Sequence, residues 1–531
     1  MKNIRYILLV LVAMFIFSTS FGQWHAGGLK LMEVMDKISR FYVDSVDEDA
    51  LIENTIEQML HELDPHSSYI SKDDIKEMSE QLNGEFEGIG VSFNILQDTI
   101  FIISTIEGGP SERVGIRAGD RIIKVEDEIV AGIGISTGGV QKRLKGKKGT
   151  RVRITVFRKN TGDELDFNIV RDKIPMYSLD ASYMVDKTTG YIKLSRFSQT
   201  TVEEFEKALK ELKSEGLENL VLDLSGNGGG YLSSAVALSD HFLETGKEIV
   251  ITEGDKYQRK EHKSKRGGLL EEGRLVIMID EYSASASEIV SGAIQEWDRG
   301  VLVGRRSFGK GLVQQPLRLS DGSEIRLTIA RYYTPTGRLI QKSYENGYED
   351  YAMDIINRFN QGELNTADSI LFPDSLKFKT LVLGRTVYGG GGIMPDYFVP
   401  VDTTVVSDYY SKLFSMGIFN QYMLQYIDNY RDKLKADYGA FDDYTKDYKV
   451  DDEVLAGLIS YAEEEGLDFS QEDWDISKSQ IIILFKAYVA RDLWDTEKFY
   501  EIYNETDVIF LKAKEILSHP KLYKEKLKQS S

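Results

Sequence analysis

The sequence predicts a multidomain α/β protein, and three observations carry that prediction. At 531 residues and 60.2 kDa the chain is long enough for three or four domains. Residues 84–172 place Gly-rich turns between short β-type runs, the mark of a small β-rich module. From 189 to 402 apolar runs alternate with helical stretches, which predicts a βα layered domain around a mostly parallel sheet. Hydrophobic residues at 42% and charged residues at 28% suit a folded chain.

Composition also excludes chemistries. The balance of 65 Lys+Arg against 85 Asp+Glu, net charge -20, lacks the footprint of a nucleic-acid binder. Without a single Cys there are no disulfides, thiol nucleophiles, iron–sulfur clusters or cysteine zinc sites. The six His (His25, His61, His66, His241, His262 and His519) include no HExxH-like pair, so a zinc hydrolase is not expected. No metal or organic cofactor is implied. The chemistry has to rest on Ser, Lys, Asp, Glu or backbone groups.

Taken in order, residues 1–22 read as a secretory signal: Lys2 and Arg5, an apolar run at 6–17, then small or polar residues. The expectation is an exported protein, periplasmic or cell-envelope associated, starting near Gln23. Membrane contact is expected only if that segment is uncleaved. Residues 23–83 read as a helical region of two packing helices, with Leu31, Val34, Met35 and Ile38 forming one stripe and Asp64-Pro65 the break. In 84–172, Gly88-Ile89-Gly90-Val91 precedes an apolar strand, and backbone N–H groups of such a loop can hold a carboxylate. Gly115-Ile116-Arg117-Ala118-Gly119-Asp120 and Leu144-Lys145-Gly146 follow. The three segments together resemble a PDZ domain. In 173–402 the apolar runs at 191–194, 220–224, 248–252, 275–279 and 301–303 are the expected strands, with helices near 201–214, 230–244 and 285–298. Residues 403–531 read as a helical C-terminal domain without visible chemistry.

The chemistry is written in the third region. Ser283, Ser285 and Ser287 sit where an apolar strand gives way to a helix. A hydroxyl there meets the positive end of the helix dipole, though Ser at such a junction also serves as an N-cap. Downstream, Lys310 stands between Gly309 and Gly311. The preceding Gly304 mimics a P-loop, but Gly311 replaces the Ser/Thr that binds magnesium, so an NTPase is not expected. A Ser–Lys pair survives. Lysine acts as a base only when neutral, which requires lowering its pKa by roughly three units, about 4 kcal/mol, through burial. Gln314, four residues on in a strand-like run, shares Lys310's face and can orient its amine. The loop Asp223-Leu224-Ser225-Gly226-Asn227-Gly228-Gly229-Gly230 closes a strand and can aim N–H groups at an oxyanion, although alone it also reads as a tight βα turn.

These motifs, with Leu63-Asp64-Pro65-His66-Ser67, Tyr333-Thr334-Pro335-Thr336-Gly337 and the 389–396 stretch, resemble the carboxy-terminal processing (tail-specific) proteases over residues 30–400. The resemblance implies a crotonase-like α/β protease core with an inserted PDZ domain and helical N- and C-terminal regions. It implies Ser285 as nucleophile, Lys310 as general base, Gln314 as its orienter, and the N–H groups of Ala286 and Gly229 as the oxyanion hole. Gly88, Ile89, Gly90 and Val91 become tail-binding residues, and Glu288 takes a structural role. Expected partners are polypeptides with free apolar C-termini, with an adaptor or self-association open. Two departures stand out: Ser225 and Gly228 occupy positions where the family commonly carries Arg and Pro, which puts anchoring of the loop in doubt. The rival readings are a catalytically silent PDZ-bearing scaffold and a crotonase-fold enzyme acting on acyl thioesters.

Overall fold

The computed structural model describes residues 26–265 and 267–528. The signal reading at 1–22 and the start near Gln23 lie outside the described residues.

Two helices open the described residues, Ala26–Phe41 and Glu48–His61; Asp47 caps the second by accepting the Ala50 N–H. The expectation that the first helix packs through its apolar stripe is not met: Leu31 and Val34 are 48% and 45% exposed. Periodicity defines an apolar face but not what covers it. The region is also not purely helical. Ser68–Ile70 is a strand pairing antiparallel with Glu324–Tyr333, too short for alternation to register in the sequence. A third helix, Asp74–Asn83, then ends at Gly84 in the left-handed region.

The β-rich module is one antiparallel sheet in chain order: Val91–Leu96, Thr99–Thr105, Arg121–Val125, Arg151–Arg158 and Asp163–Val170, with Glu128–Ile129 beside the third strand. Ile100, Ile122, Val152 and Ile154 are its buried centre. Val91–Leu96 is an edge strand. The entering strand Glu85–Gly88 pairs antiparallel with the leaving strand Asp172–Pro175 and clips the module's two ends together.

The central sheet runs Leu179–Met184, Thr189–Leu194, Asn219–Asp223, Leu275–Ile279, Val301–Gly304 and Tyr397–Phe398, the last five parallel. Helices Thr201–Glu215, Leu232–Ser239 and Ala286–Glu296 supply Leu209, Leu238 and Val290 to the core on one face. Ile509, Phe510, Ala513 and Ile516 of the helix Val508–Ser518 cover Val221, Val276, Met278 and Val303 on the other. Burial on both faces is why these strands read as continuous apolar runs. The run at 248–252 is a correction: Glu248–Gly254 leaves this sheet and pairs antiparallel with Tyr257–Lys263 and Glu324–Tyr333. Asp255 and Lys256 turn the chain straight back as a hairpin, so no crossover returns it to the parallel layer. Leu312–Arg318 and Ser68–Ile70 complete that second sheet.

Beyond residue 403 the described chain is helical, from Asp408–Ser415 to Pro520–Lys526. This domain also braces the β-rich module: the Asp428 carboxylate accepts from Arg121 at 2.6 Å and Lys159 at 2.8 Å. Phe510, buried and edge-on to Tyr191 at 5.4 Å, anchors the opposite end on the central sheet. Phe510→Ala is expected to cost about 3–5 kcal/mol, read as a fall in the urea midpoint. An unchanged midpoint would mean that the helix does not stabilise the sheet.

Candidate active site

Ser285 lies just past the C-terminal end of the strand Leu275–Ile279. Its φ of 56° is in a region that a β-carbon disfavours, and the helix Ala286–Glu296 begins at the next residue. The turn before it is held by Asp280, whose Oδ1 accepts the N–H groups of Tyr282 (3.1 Å), Ser283 (3.0 Å) and Gly226 (2.9 Å). The neighbouring serines are occupied. Ser283 Oγ donates to Leu224 O at 2.8 Å, and Ser287 Oγ to Asn227 O at 2.8 Å. Both are fully buried. Ala286, in the first helical turn, has an N–H with no intrahelical acceptor.

Glu288, one turn into the helix and fully buried, joins this segment to the one carrying Lys310. Its Oε2 accepts the N–H of Ser285 (2.8 Å) and of Lys310 (2.9 Å), and its Oε1 accepts the N–H of Gly309 (2.7 Å) and Ser307 Oγ (2.6 Å). Burial pushes the Glu288 carboxyl up, while those donors favour its ionised form. Gly309 is required here: φ is 89°, and a side chain would meet the Gly392 backbone at 3.0 Å. The hydroxyl of buried Tyr332 reaches Ser285 O at 3.1 Å and also Lys310 O.

The Lys310 amine donates to Gln314 Oε1 at 3.1 Å, and Gln314 Nε2 donates to the carbonyl of His66. The face-sharing argument from the sequence is not the reason they meet. Lys310 precedes the strand Leu312–Arg318 that carries Gln314, so the two do not share one strand, and the ladder shifts register at Val313/Gln314, where the partner strand carries an extra residue. Burial holds the Lys310 ammonium below the ordinary lysine value, and Arg326 adds to this; Asp64 and Glu288 oppose it. The carboxylate of Glu288 therefore contacts the lysine's backbone without dominating its charge. His66 is lowered to about 3 by burial and by Lys310, and its Nε2 lies 2.7 Å from the Tyr351 hydroxyl. Asp64 fixes the His66 turn by accepting the N–H of His66 at 2.9 Å and of Ser67 at 2.8 Å.

Ser285, Lys310 and Gln314 line one cleft of about 500 Å³, with Gly228, Gly230, Tyr332 and Arg326. The glycine loop folds against Ser285: a side chain on Gly229 would meet Ser285 Cβ at 2.7 Å and Ala286 N at 3.0 Å. The Gly229 N–H, however, is donated to Asn227 Oδ1 at 2.9 Å, so in this conformation it is committed and not presented to a ligand. The adjacent Gly228 and Gly230 line the cleft instead. Fully buried Asn227 locks the two loops together: besides Ser287 Oγ, its carbonyl accepts the Ala284 N–H at 3.0 Å, and its amide donates to Leu194 O at 2.8 Å. An Asn among glycines after a strand is a legible Asx-turn signal. Asp64 and His66 stand in the Leu63–Ser67 motif that carried the resemblance but were given no role there, and Asp280 and Tyr332 carried no comparable signal.

Gly88, Ile89, Gly90 and Val91 sit elsewhere, around a cavity of about 250 Å³ that also meets Phe93, Leu144 and Lys145. One wall is the helix Asp74–Asn83. Its Glu77, Glu80 and Gln81 face this cavity while Ser79, Leu82 and Asn83 face the Ser285 cleft, two stripes at i, i+3, i+4 spacing. Lys145 Nζ donates to buried Glu80 at 2.8 Å.

Comparison with known proteins places this architecture. The peptidase family S41 model matches residues 188–350, which contain Ser285, Lys310 and Gln314; a PDZ domain model matches 88–169, and a family of unknown function matches 409–495. The carboxy-terminal-processing protease of Bartonella bacilliformis is 37% identical over 314 residues, 58% of this chain and 71% of its own. The chain belongs to peptidase family S41. A carboxy-terminal processing protease of Bacillus subtilis, CtpB, is 37% identical over 59% of this chain and 65% of its own. A solved photosystem II D1 C-terminal processing protease is 25% identical, aligned over 59% of this chain and 90% of its own at a TM-score of 0.34.

In this S41 peptidase, Glu288→Ala is expected to strand four buried donors at about 1–3 kcal/mol each. A loss of at least about 3 kcal/mol in urea denaturation is the expected outcome. Stability equal to the parent would show that water replaces the carboxylate.

Proposed function

We propose that this S41 peptidase is an exported serine endopeptidase. It cuts unfolded or extended polypeptides near their C-terminal tails through a Ser285–Lys310 dyad, on a crotonase-like core into which the PDZ domain is inserted. The observation that carries the reading is the shared cleft. Ser285 stands at a helix N-terminus, and Lys310 has its charge disfavoured by burial and its amine directed by Gln314.

In the proposed cycle, neutral Lys310 takes the Ser285 hydroxyl proton as Oγ bonds to the scissile carbonyl carbon. The tetrahedral oxyanion is met by the Ala286 N–H and by a second N–H from the glycine loop. Collapse breaks the peptide C–N bond, and the departing amine takes the proton from Lys310. A water, deprotonated by Lys310, then cleaves the acyl ester and restores Ser285. His66, neutral above pH 5, takes no proton in this cycle; it contributes its carbonyl, which holds Gln314. The tail is captured at Gly88, Ile89, Gly90 and Val91 beside the edge strand Val91–Leu96, which suits strand addition. Because one helix walls both cavities, a chain held in the groove leads on toward Ser285.

The test is cleavage of an unfolded reporter with an apolar C-terminus by residues 23–531, beside Ser285→Ala. The parent should cut and the variant should lose at least about a thousandfold in rate. Tail binding by both without cutting would instead support a scaffold, and equal cutting would reject Ser285.

Lysine works as a base only when unprotonated, so kcat/KM should rise with pH through the Lys310 pKa and level off above it. The midpoint should lie below the ordinary lysine value. Arg326→Gln removes a neighbouring positive charge and should move that midpoint to higher pH. A profile flat from pH 5 to 9 with chemistry limiting, or no shift on Arg326→Gln, would contradict the lysine base.

A further inference from the structure

Of the glycine loop's own side chains, Asn227 holds its middle, accepting the Gly229 N–H and donating to Leu194 O, but its entry at Ser225 has no such anchor. Ser225 Oγ is buried without a hydrogen-bond partner, and Gly226 and the three glycines at 228–230 have no side chain to anchor. The support of that entry comes from the ends of the strands beneath it. Lys193 Nζ donates to the Ser225 carbonyl at 2.6 Å and lies 3.0 Å from Asp223 Oδ2. The Asp223 carboxylate accepts the Ser225 N–H at 2.8 Å and the Tyr191 hydroxyl at 2.7 Å. Lys193 and Asp223 are register partners on the adjacent parallel strands Thr189–Leu194 and Asn219–Asp223.

Lys193 is 7% exposed, and a buried ammonium needs cover as well as a counter-ion. The cover comes from the far end of the chain. The ring of Tyr500, in the helix Thr496–Tyr503, lies 5.8 Å from Lys193 Nζ. That helix is pinned to the strand Leu179–Met184 by Glu497, which accepts the Ser182 N–H at 3.1 Å; Asn504 just beyond it donates to the Tyr183 hydroxyl at 2.8 Å. Burial by itself would pull Lys193 down, but Asp223 and Tyr500 hold it above the ordinary lysine value.

We propose that Lys193 is a positioning residue for the 225–230 loop, clamping the Ser225 carbonyl so that the loop keeps its place against Ser285, and that the helix Thr496–Tyr503 keeps this clamp dry. The C-terminal segment then supports catalysis without lending a residue to the cleft. The kinetic part rests on the peptidase reading above; the clamp itself does not.

The full chain from residue 23 and its Lys193→Met variant are compared in two ways. Amide hydrogen exchange over 224–231 should quicken by about tenfold or more in the variant, with the 91–170 module unchanged. Cleavage of the unfolded reporter should lose about a hundredfold in kcat while KM stays within about threefold, since a misplaced oxyanion donor weakens the transition state and not the substrate complex. Unchanged exchange at 224–231 overturns the clamp. Faster exchange with normal kcat overturns its role in catalysis. If the parent and Ser285→Ala do not differ in cleavage, the peptidase reading fails, and the exchange arm still decides the clamp. Should Lys193→Met fail to fold, Tyr500→Leu, which keeps the ion pair but opens it to water, decides through the same readouts with smaller effects of the same sign.

Discussion

The buried carboxylate of Glu288 is the interaction on which the rest of the site depends. Ser285 and Lys310 follow two adjacent parallel strands, Leu275–Ile279 and Val301–Gly304, and strand pairing alone does not hold the loops beyond. One carboxylate, placed on the first turn of the helix that follows Ser285, collects N–H groups from both segments. Taking a carboxylate out of water costs several kcal/mol, and only a full set of donors offsets it. The same requirement makes the geometry exacting, because any displacement of either segment strands a buried charge. The Glu288 oxygens engage the backbone of Lys310, and the amine is left to Gln314.

Around this buckle the support is long-range. The carbonyl that holds Gln314 comes from His66, 248 residues earlier in the chain, so the N-terminal segment is part of the site and not an appendage. The glycine loop, which carries Ser225 and Gly228 where an Arg and a Pro stand in the resembling proteases, is anchored all the same. Asp280 and the loop's own Asn227 hold it on the side of Ser285, and Lys193 and Asp223 hold it from the strand ends. The loop is thus held by its own buried Asn227 together with buried polar groups at the strand ends.

Ser285 and Lys310, the proposed dyad, stood out as candidates because their residue types are few in the right contexts: a hydroxyl at a strand-to-helix junction, and a lysine between glycines in a chain without Cys or a suitable His. Glu288 was assigned a structural role from the family motif, since a carboxylate at the Lys310 amine would hold that amine protonated. Gln314 was named for sharing a strand face with Lys310, whereas Lys310 precedes the strand that carries Gln314. His66 acts through a backbone carbonyl, which every residue possesses and no residue type announces. The run at 248–252 looked like a strand of the central sheet because apolar content records burial, not which sheet provides it.

The amino-acid sequence by itself determined the domain order, the apolar layers and the residue types able to perform acyl transfer, because periodicity and local chemistry are properties of short segments. Only the tertiary structure decided which N–H groups are free, which are committed as at Gly229, and how the Lys310 charge is disfavoured. It also decided that residues 496–528 close over the central sheet beneath the glycine loop. Those outcomes depend on desolvation and on hydrogen-bond partners hundreds of residues apart, and both arise only when the layers close on one another.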